Sequence, residues 1–478
     1  MSGAEHPRPS RGSATETRTT LHIAVPLTAA YVAEMGMVIT DMVIVGRLGS
    51  AELAAVGLAG DLFWIFLLIG MGVISIVGVL AAQNHGAGDR AATIAAGEQG
   101  MITAAITSLP VMAGVWWLEP VLLAARQDTE VARLIGEYAR ILTWAVPPAL
   151  WFVVLRNYVT ALARSAAVGW IMIAALALNF ALNYTLVYGR FGFPALGVTG
   201  AGIGTTFVNW AMFAGLYLSI RHDPRLAGYL PRLLPRRLDL KTQRELFSLG
   251  LPVALTQILN GAMFSCAAVI VGTISATTLA AQQIVYSVLY LALSAAGGLG
   301  DAVRVRVAFW IGRGDGAAAR HSARIAVTLA AGATLLACCV LWLVPGPLVG
   351  VFLDTGSANN ADVLAIAISL SAAAGLFLFL DGTQMVLANA LRGLRDTRSP
   401  FWIALSGYWA LGLGSGTVLC FVFGFGALGL WWGLVAGVLL CNLLLLRQLR
   451  RRFRAAAQDP ARSAIAPAGA AVHHAEQS

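Results

Sequence analysis

Three carboxylates of this chain lie in sequence surroundings that exclude water. Glu34 and Asp41 fall in the apolar run IAVPLTAAYVAEMGMVITDMVIVG, residues 23–46, and Asp381 follows GLFLFL and precedes Gly382. Charge buried in an apolar span is costly, so an acid there is read first as functional. Such a group can be neutralised by a proton or by a cationic substrate but not by both together, which is the exchange an antiporter needs. Glu34 and Asp41 stand seven residues apart. That is two helical turns, so both face nearly the same side of one helix. The structural alternatives are an interfacial acid bonded to a helix end for Asp41 and an acceptor across a helix bundle for Glu34.

Other polar side chains surround these acids. Asn179 and Asn183 are spaced i, i+4, which puts both amides on one helix face, where they can orient Asp41 or bind a cation through their carbonyls; the plainer role is polar glue between helices. Asn260 and Gln283 are expected to line a cavity, with packing as the simpler reading. Asp301 has Arg304 three residues on, and a local pair accounts for it. Asp61 lies roughly 15 Å into its helix and is given no firm role, reach to a cavity mouth being one reading. Pro26 and Pro252 remove an amide hydrogen each and free the carbonyls of His22 and Ser248, so both helices should bend there, as static kinks or as hinges. The five cysteines lack metal-ligand spacing and read as small buried residues. No cofactor, metal centre or catalytic residue is expected. Trp116–Trp117 and Trp431–Trp432 read as interfacial anchors.

The elements that must hold these residues follow from composition. Of 478 residues 58% are hydrophobic and 12% charged, with mean hydropathy +0.76. Apolar runs long enough to cross about 30 Å of hydrocarbon recur along the chain, which makes it an all-α polytopic membrane protein. Twelve helices are predicted near 21–46, 52–82, 93–117, 131–162, 168–188, 197–220, 246–272, 278–310, 318–344, 362–392, 400–424 and 427–446. The net charge of +9 punctuates the apolar runs instead of forming a basic domain, so nucleic acid is not an expected partner. The basic connection 221–245, with Arg221, Arg225, Arg232, Arg236, Arg237, Lys241 and Arg244, marks the cytoplasmic side, and alternate loops carry most other arginines. Both termini are then cytoplasmic. Residues 1–20 are expected to be a disordered tail, and 447–478 a basic and then disordered one.

The chain also repeats itself. Pro26 and Pro252 stand 226 apart, and the same offset joins Met37 to Met263, Val43–Gly46 to Val269–Gly272, Leu53–Ala55 to Leu279–Ala281, and Gly86, Gly88 and Asp89 to Gly312, Gly314 and Asp315. Each half, 21–220 and 246–446, holds six helices. An even number makes the halves parallel repeats about an axis along the membrane normal, the plan of a transporter that rocks two lobes around a central site. The halves differ in charge, since Glu34 and Asp41 correspond to Asn260 and Ala267.

The run TDMVIVGRLGSAELAAVGLAG, the AAQNHGAGD loop, LNFALNYTLVYGRFGFPALGVTGAGIGT in helices 5 and 6, and LDGTQMVLANALRGLRDT in helix 10 together resemble the multidrug and toxic compound extrusion (MATE) family, in its bacterial NorM-like branch. The resemblance covers about residues 21–446. It implies a twelve-helix exporter of organic, often cationic and lipophilic compounds, in the bacterial inner membrane, working as a monomer among membrane lipids and driven by protons or sodium. It places the family's helix 1 aspartate on Asp41, the helix 10 carboxylate on Asp381, the helix 5 polar pair on Asn179 and Asn183, and a helix 6 threonine on Thr205. The chain departs from the pattern where a helix 7 glutamate is Asn260, where a tyrosine four residues before Asp381 is Phe377, and where Glu34 replaces an expected glutamine. These departures argue against a sodium site in the second lobe and favour proton coupling through Asp41, with Asp381 and Glu34 assisting; a sodium site near Asp41 or Asp381 is the rival. A lipid-linked precursor flippase would want a basic cavity, a channel a filter-like segment, and a membrane enzyme a nucleophile or metal motif such as HExxH.

Overall fold

A segment crossing hydrocarbon must satisfy its own backbone, and the long apolar runs of this chain do so as helices. The computed structural model describes residues 12–233, 238–351 and 360–458, and every regular element among them is helical. The spans are α1 Ser13–Gly46, α2 Ser50–Gly86, α3 Arg90–Trp116, α4 Thr129–Ala161, α5 Ala166–Tyr188, α6 Gly197–His222, α7 Leu240–Gly272, α8 Ala276–Gly312, α9 Gly316–Leu343, α10 Ala361–Gly393, α11 Arg398–Phe421 and α12 Gly426–Gln458. Eleven are long and apolar enough to cross a membrane alone, and α3 completes a twelfth with the short helix Leu118–Ala124, bent by 45°. The two-lobe, twelve-helix expectation holds.

The repeat is visible in local geometry. At the end of α2, Gly88 takes φ +79° and Asp89 caps α3 by accepting from the Ala92 amide at 2.8 Å; at the end of α8, Gly314 takes φ +78° and Asp315 caps α9 by accepting from Ala318 at 2.8 Å. Positive φ is the reason for glycine at both turns, and an N-terminal aspartate satisfies an otherwise orphaned amide. These pairs keep the 226-residue offset.

The lobes, α1–α6 and α7–α12, meet through α1 with α8, α2 with α7, and α2 with α8. At the end of the molecule that carries the termini, Gly86 abuts the Phe309 carbonyl and Gly312 abuts the Gln83 carbonyl, again related by the repeat, and a side chain at either would run into backbone. In α2, residues 72–83 are buried while Leu53, Trp64 and Ile65 of its first half are exposed. The lobes are therefore joined at the terminal-bearing end and part toward the opposite one.

Several expectations are corrected. The helix begins at Ser13, so residues 13–20 are not a tail: Glu16 is buried in a bidentate pair with Arg306 of α8, at 2.9 and 2.5 Å, and Thr17 and Thr19 bond back to the Ser13 and Thr15 carbonyls. Likewise α12 continues well past residue 446, because Gln448 and Arg452 bind Asp396. The basic connection shortens to 223–239, with a 3-10 turn at Ala227–Tyr229 among its described residues. Trp431 is not interfacial but fully buried, packed on Phe377 and Tyr286. The tails expected at 1–11 and 459–478, with His473 and His474, and Arg236 and Arg237 of the basic loop, lie outside the described residues.

Candidate functional site

Asp41 sits in the second half of α1, and three helix faces of the first lobe converge on it. Asn179 of α5 donates through Nδ2 to Asp41 Oδ1 at 3.0 Å, Asn183 donates to the same oxygen in a short hydrogen bond, and Thr205 of α6 donates to Oδ2 at 3.4 Å. The two amides share a face because they are one helical turn apart. Both are fully buried, and their Oδ1 atoms have no hydrogen-bond partner among the described residues. Tyr138 of α4 stands beside Asp41 and Thr205. The apolar neighbours in sequence, Val38, Ile39 and Met42, do not enclose the carboxylate; they are exposed, and the pocket walls come from α4, α5 and α6.

Pro26 lies further down the same helix. The Ser165 hydroxyl lies 3.4 Å from the freed His22 carbonyl and donates to the adjoining Ile23 carbonyl at 3.0 Å. Gly169 of α5 packs directly on Pro26, so α1 and α5 approach closely at the kink. Among the described residues no side chain takes the equivalent Ser248 carbonyl below Pro252.

In the second lobe, Asp381 of α10 accepts a short hydrogen bond from the Tyr408 hydroxyl. Tyr408 rides on Leu405–Leu413, where α11 widens into a π-helical turn and its glycines pack on Gly433 and Gly437 of α12. π turns recur at functional positions because they re-aim side chains. Tyr408 thus supplies a hydroxyl to Asp381 where Phe377 has none, and Phe377 is a core residue against Phe264 and Trp431. Asn260 is partly buried, with Oδ1 unpartnered, and the Trp409 indole donates to the neighbouring Leu259 carbonyl at 3.2 Å. Gln283 is exposed; its neighbour Gln282 is the buried amide. Tyr290 of α8 lies within electrostatic reach of both Asp381 and Asp61, so α2 and α10, from different lobes, present acids toward a common region.

Glu34 belongs to neither pocket. It lies 4.0 Å from Arg156 Nη1 of α4, whose guanidinium also stands 5.4 Å from the centre of the Tyr31 ring. Tyr31 donates to Asp301 Oδ2 at 2.7 Å, Asp301 pairs with Arg304 at 2.9 Å, and Arg304 donates to Asn157 at 2.7 Å. Arg392 of α10 joins Asn389 at 3.4 Å and feels the charges of Arg304 and Asp301. Arg156, Arg304 and Arg392 are only 7%, 4% and 7% exposed, so this is a buried network shared by the lobes. The Asp301–Arg304 pair was legible; Arg156 was not, although a cation inside VVLRNYV is the same signal as an acid inside an apolar run.

Comparison with known proteins accounts for the arrangement. The MatE family model matches residues 26–185 and again 252–418, starting at the two prolines of the repeat. The chain is 34% identical over 452 residues to a probable multidrug resistance protein NorM of Rhizobium meliloti, covering 94% of this chain and 96% of the relative, and 35% identical over 420 residues to the multidrug resistance protein NorM of Burkholderia vietnamiensis, covering 88% and 90%. Its fold is similar to that of a multidrug resistance MATE family transporter of the MOP superfamily solved in an outward-facing conformation, with TM-score 0.82 and 17% identity over 93% of this chain and 97% of that one. A repeated six-helix lobe with a partly buried carboxylate in each half, matched over nearly its whole length by this family, leaves one assignment: the chain belongs to the MatE family, in its NorM-like branch, and is a membrane transporter and not an enzyme.

Proposed function

We propose that this protein exports organic, often cationic and lipophilic compounds by exchange for protons, with Asp41 as the principal coupling group. The observation that carries this reading is the set of donors on Asp41: two amide N–H groups and a hydroxyl aim at its carboxylate. Donors stabilise an anion that releases a proton or ion-pairs with a cationic substrate, and they crowd out a metal cation, which needs accepting oxygens. Substrate and proton then compete for one charge. Asp381, sharing a hydrogen bond with Tyr408, provides a second acid in the other lobe, and Glu34 assists through Arg156.

The joined terminal-bearing end, with both termini cytoplasmic under the positive-inside rule, supports an outward-open state of a monomeric inner-membrane exporter. Alternation requires the contacts of Glu16 with Arg306, Tyr31 with Asp301 and Arg304 with Asn157 to part, with Pro26 and Pro252 as the points where α1 and α7 bend.

Sodium coupling is the second reading. It is favoured by the buried, unpartnered Oδ1 atoms of Asn179 and Asn183, which would join Asp41 and Thr205 as oxygen ligands if both amides turned over. The test is efflux by wild-type protein in vesicles at a fixed pH gradient, with and without sodium. Proton coupling predicts efflux in sodium-free buffer; a strict sodium requirement contradicts it.

A further inference from the structure

The end of α12 presents a face that the transport machinery leaves unused. Leu445, Leu449 and Phe453 are buried against the bundle, and Asp396 accepts from Arg452 Nε at 2.7 Å and from Gln448 Nε2 at 2.9 Å, so this stretch is a docked helix. The outer face carries Arg447, Arg450, Arg451 and Arg454, all exposed and spaced i, i+3, i+4 and i+7. None of the four pairs with a carboxylate among the described residues, in contrast to Arg452. One to two turns earlier Leu443 and Leu439 are exposed, 59% and 46%, in the apolar stretch of the helix. Leu443 and Leu446 adjoin the four arginines on this one face of α12. A surface for an acyl chain thus passes directly into a cluster of free guanidinium groups.

We propose that this helix face is a binding site for an anionic phospholipid of the adjoining leaflet, its acyl chain along Leu439 and Leu443 and its phosphodiester held by Arg447, Arg450, Arg451 and Arg454. Arginine suits phosphate because its planar fork donates two parallel hydrogen bonds. The four arginines extend over about 10 Å of helix, on the scale of a headgroup layer. A soluble anion or nucleic acid would not use the exposed leucines. Residues 459–478 are a poor alternative occupant, since they hold two acids, Asp459 and Glu476, against Arg462.

The test uses full-length protein purified in neutral detergent, with lipid binding read by native mass spectrometry and by thermal stabilisation on adding phosphatidylglycerol, cardiolipin or phosphatidylcholine. Binding and stabilisation by the two anionic lipids but not by phosphatidylcholine are expected, weakening by about fivefold for each arginine changed to glutamine and declining with salt. The quadruple variant R447Q/R450Q/R451Q/R454Q should lose the selectivity altogether; if it does not fold, R450Q and R454Q singly carry the comparison. Equal response to phosphatidylcholine, unchanged anionic-lipid binding in the variants, or an equal effect of water-soluble glycerol phosphate would each overturn the assignment.

Discussion

Replacing Tyr31 with phenylalanine isolates one contact that exists only while the lobes are joined at the terminal-bearing end. The hydroxyl crosses from α1 to Asp301 of α8 at 2.7 Å, and its removal leaves Asp301 paired with Arg304 at 2.9 Å, so no buried charge is orphaned. The change deletes a bond and keeps ring packing and the Arg156 stacking position. A hydrogen bond to a charged group contributes about 1.5–3 kcal/mol, and because Arg304 continues to satisfy the carboxylate the lower figure applies. Lost from one state alone, about 1.5 kcal/mol shifts the balance between the two states about tenfold, raising a minor state of about 1% to about 10%. Spin labels at Arg18 of α1 and Arg313 at the end of α8, both exposed and on opposite lobes, report the opening as growth of a longer-distance population. An unchanged distance distribution in Tyr31→Phe would refute the reasoning that this bond belongs to the closed end.

Three further outcomes follow from the same geometry. Asn183→Ala should reduce drug efflux at least tenfold by removing a donor from Asp41, and Asn183→Asp should reduce it further by adding a like charge, measured as initial rates in vesicles. Tyr408→Phe should lower efflux less than Asp381→Asn does, since the tyrosine positions the acid and does not replace it; an equal loss would give the hydroxyl its own role. Asp396, in the connection between α10 and α11, is opposed by burial, yet the hydrogen bonds from Gln448, Arg452 and Ser399 hold its carboxyl below the usual carboxylate range. Its contribution to stability is therefore complete above the unfolded value of about 3.9 and is lost as pH falls through the lower folded value. Asp396→Asn should cost about 1 kcal/mol at pH 7, because Arg452 is half exposed, and the melting-temperature difference from wild type should close in acid.

What the sequence made legible divides by range. Apolar runs and the 226-residue repeat, which pairs Asp89 with Asp315, are local or periodic features and reappear in the fold, where both aspartates cap helices. The Asp41 pocket was readable because the i, i+4 spacing of Asn179 and Asn183 constrains their direction before any tertiary contact is known. Contacts between distant segments left no such trace: Glu16 and Arg306 are joined across 290 residues, and Arg452 and Asp396 across 56. These pairs extend helices beyond their apolar runs, which is why both helix ends were drawn too short. Tyr408 was hidden for another reason, since a π turn changes which face a residue occupies and regular periodicity mis-aims it. Arg156 was overlooked because its run looked like a spanning segment interrupted once, and only its neighbours Glu34 and Tyr31 show what that charge meets.

The central claim is that Asp41 is where substrate and proton compete. Its most direct measurement is efflux of a cationic substrate in inverted vesicles by wild type and Asp41→Asn, with pH and sodium gradients varied independently. The account predicts pH-driven, sodium-independent efflux in wild type and its loss in Asp41→Asn at every gradient; coupled efflux that survives in Asp41→Asn contradicts it.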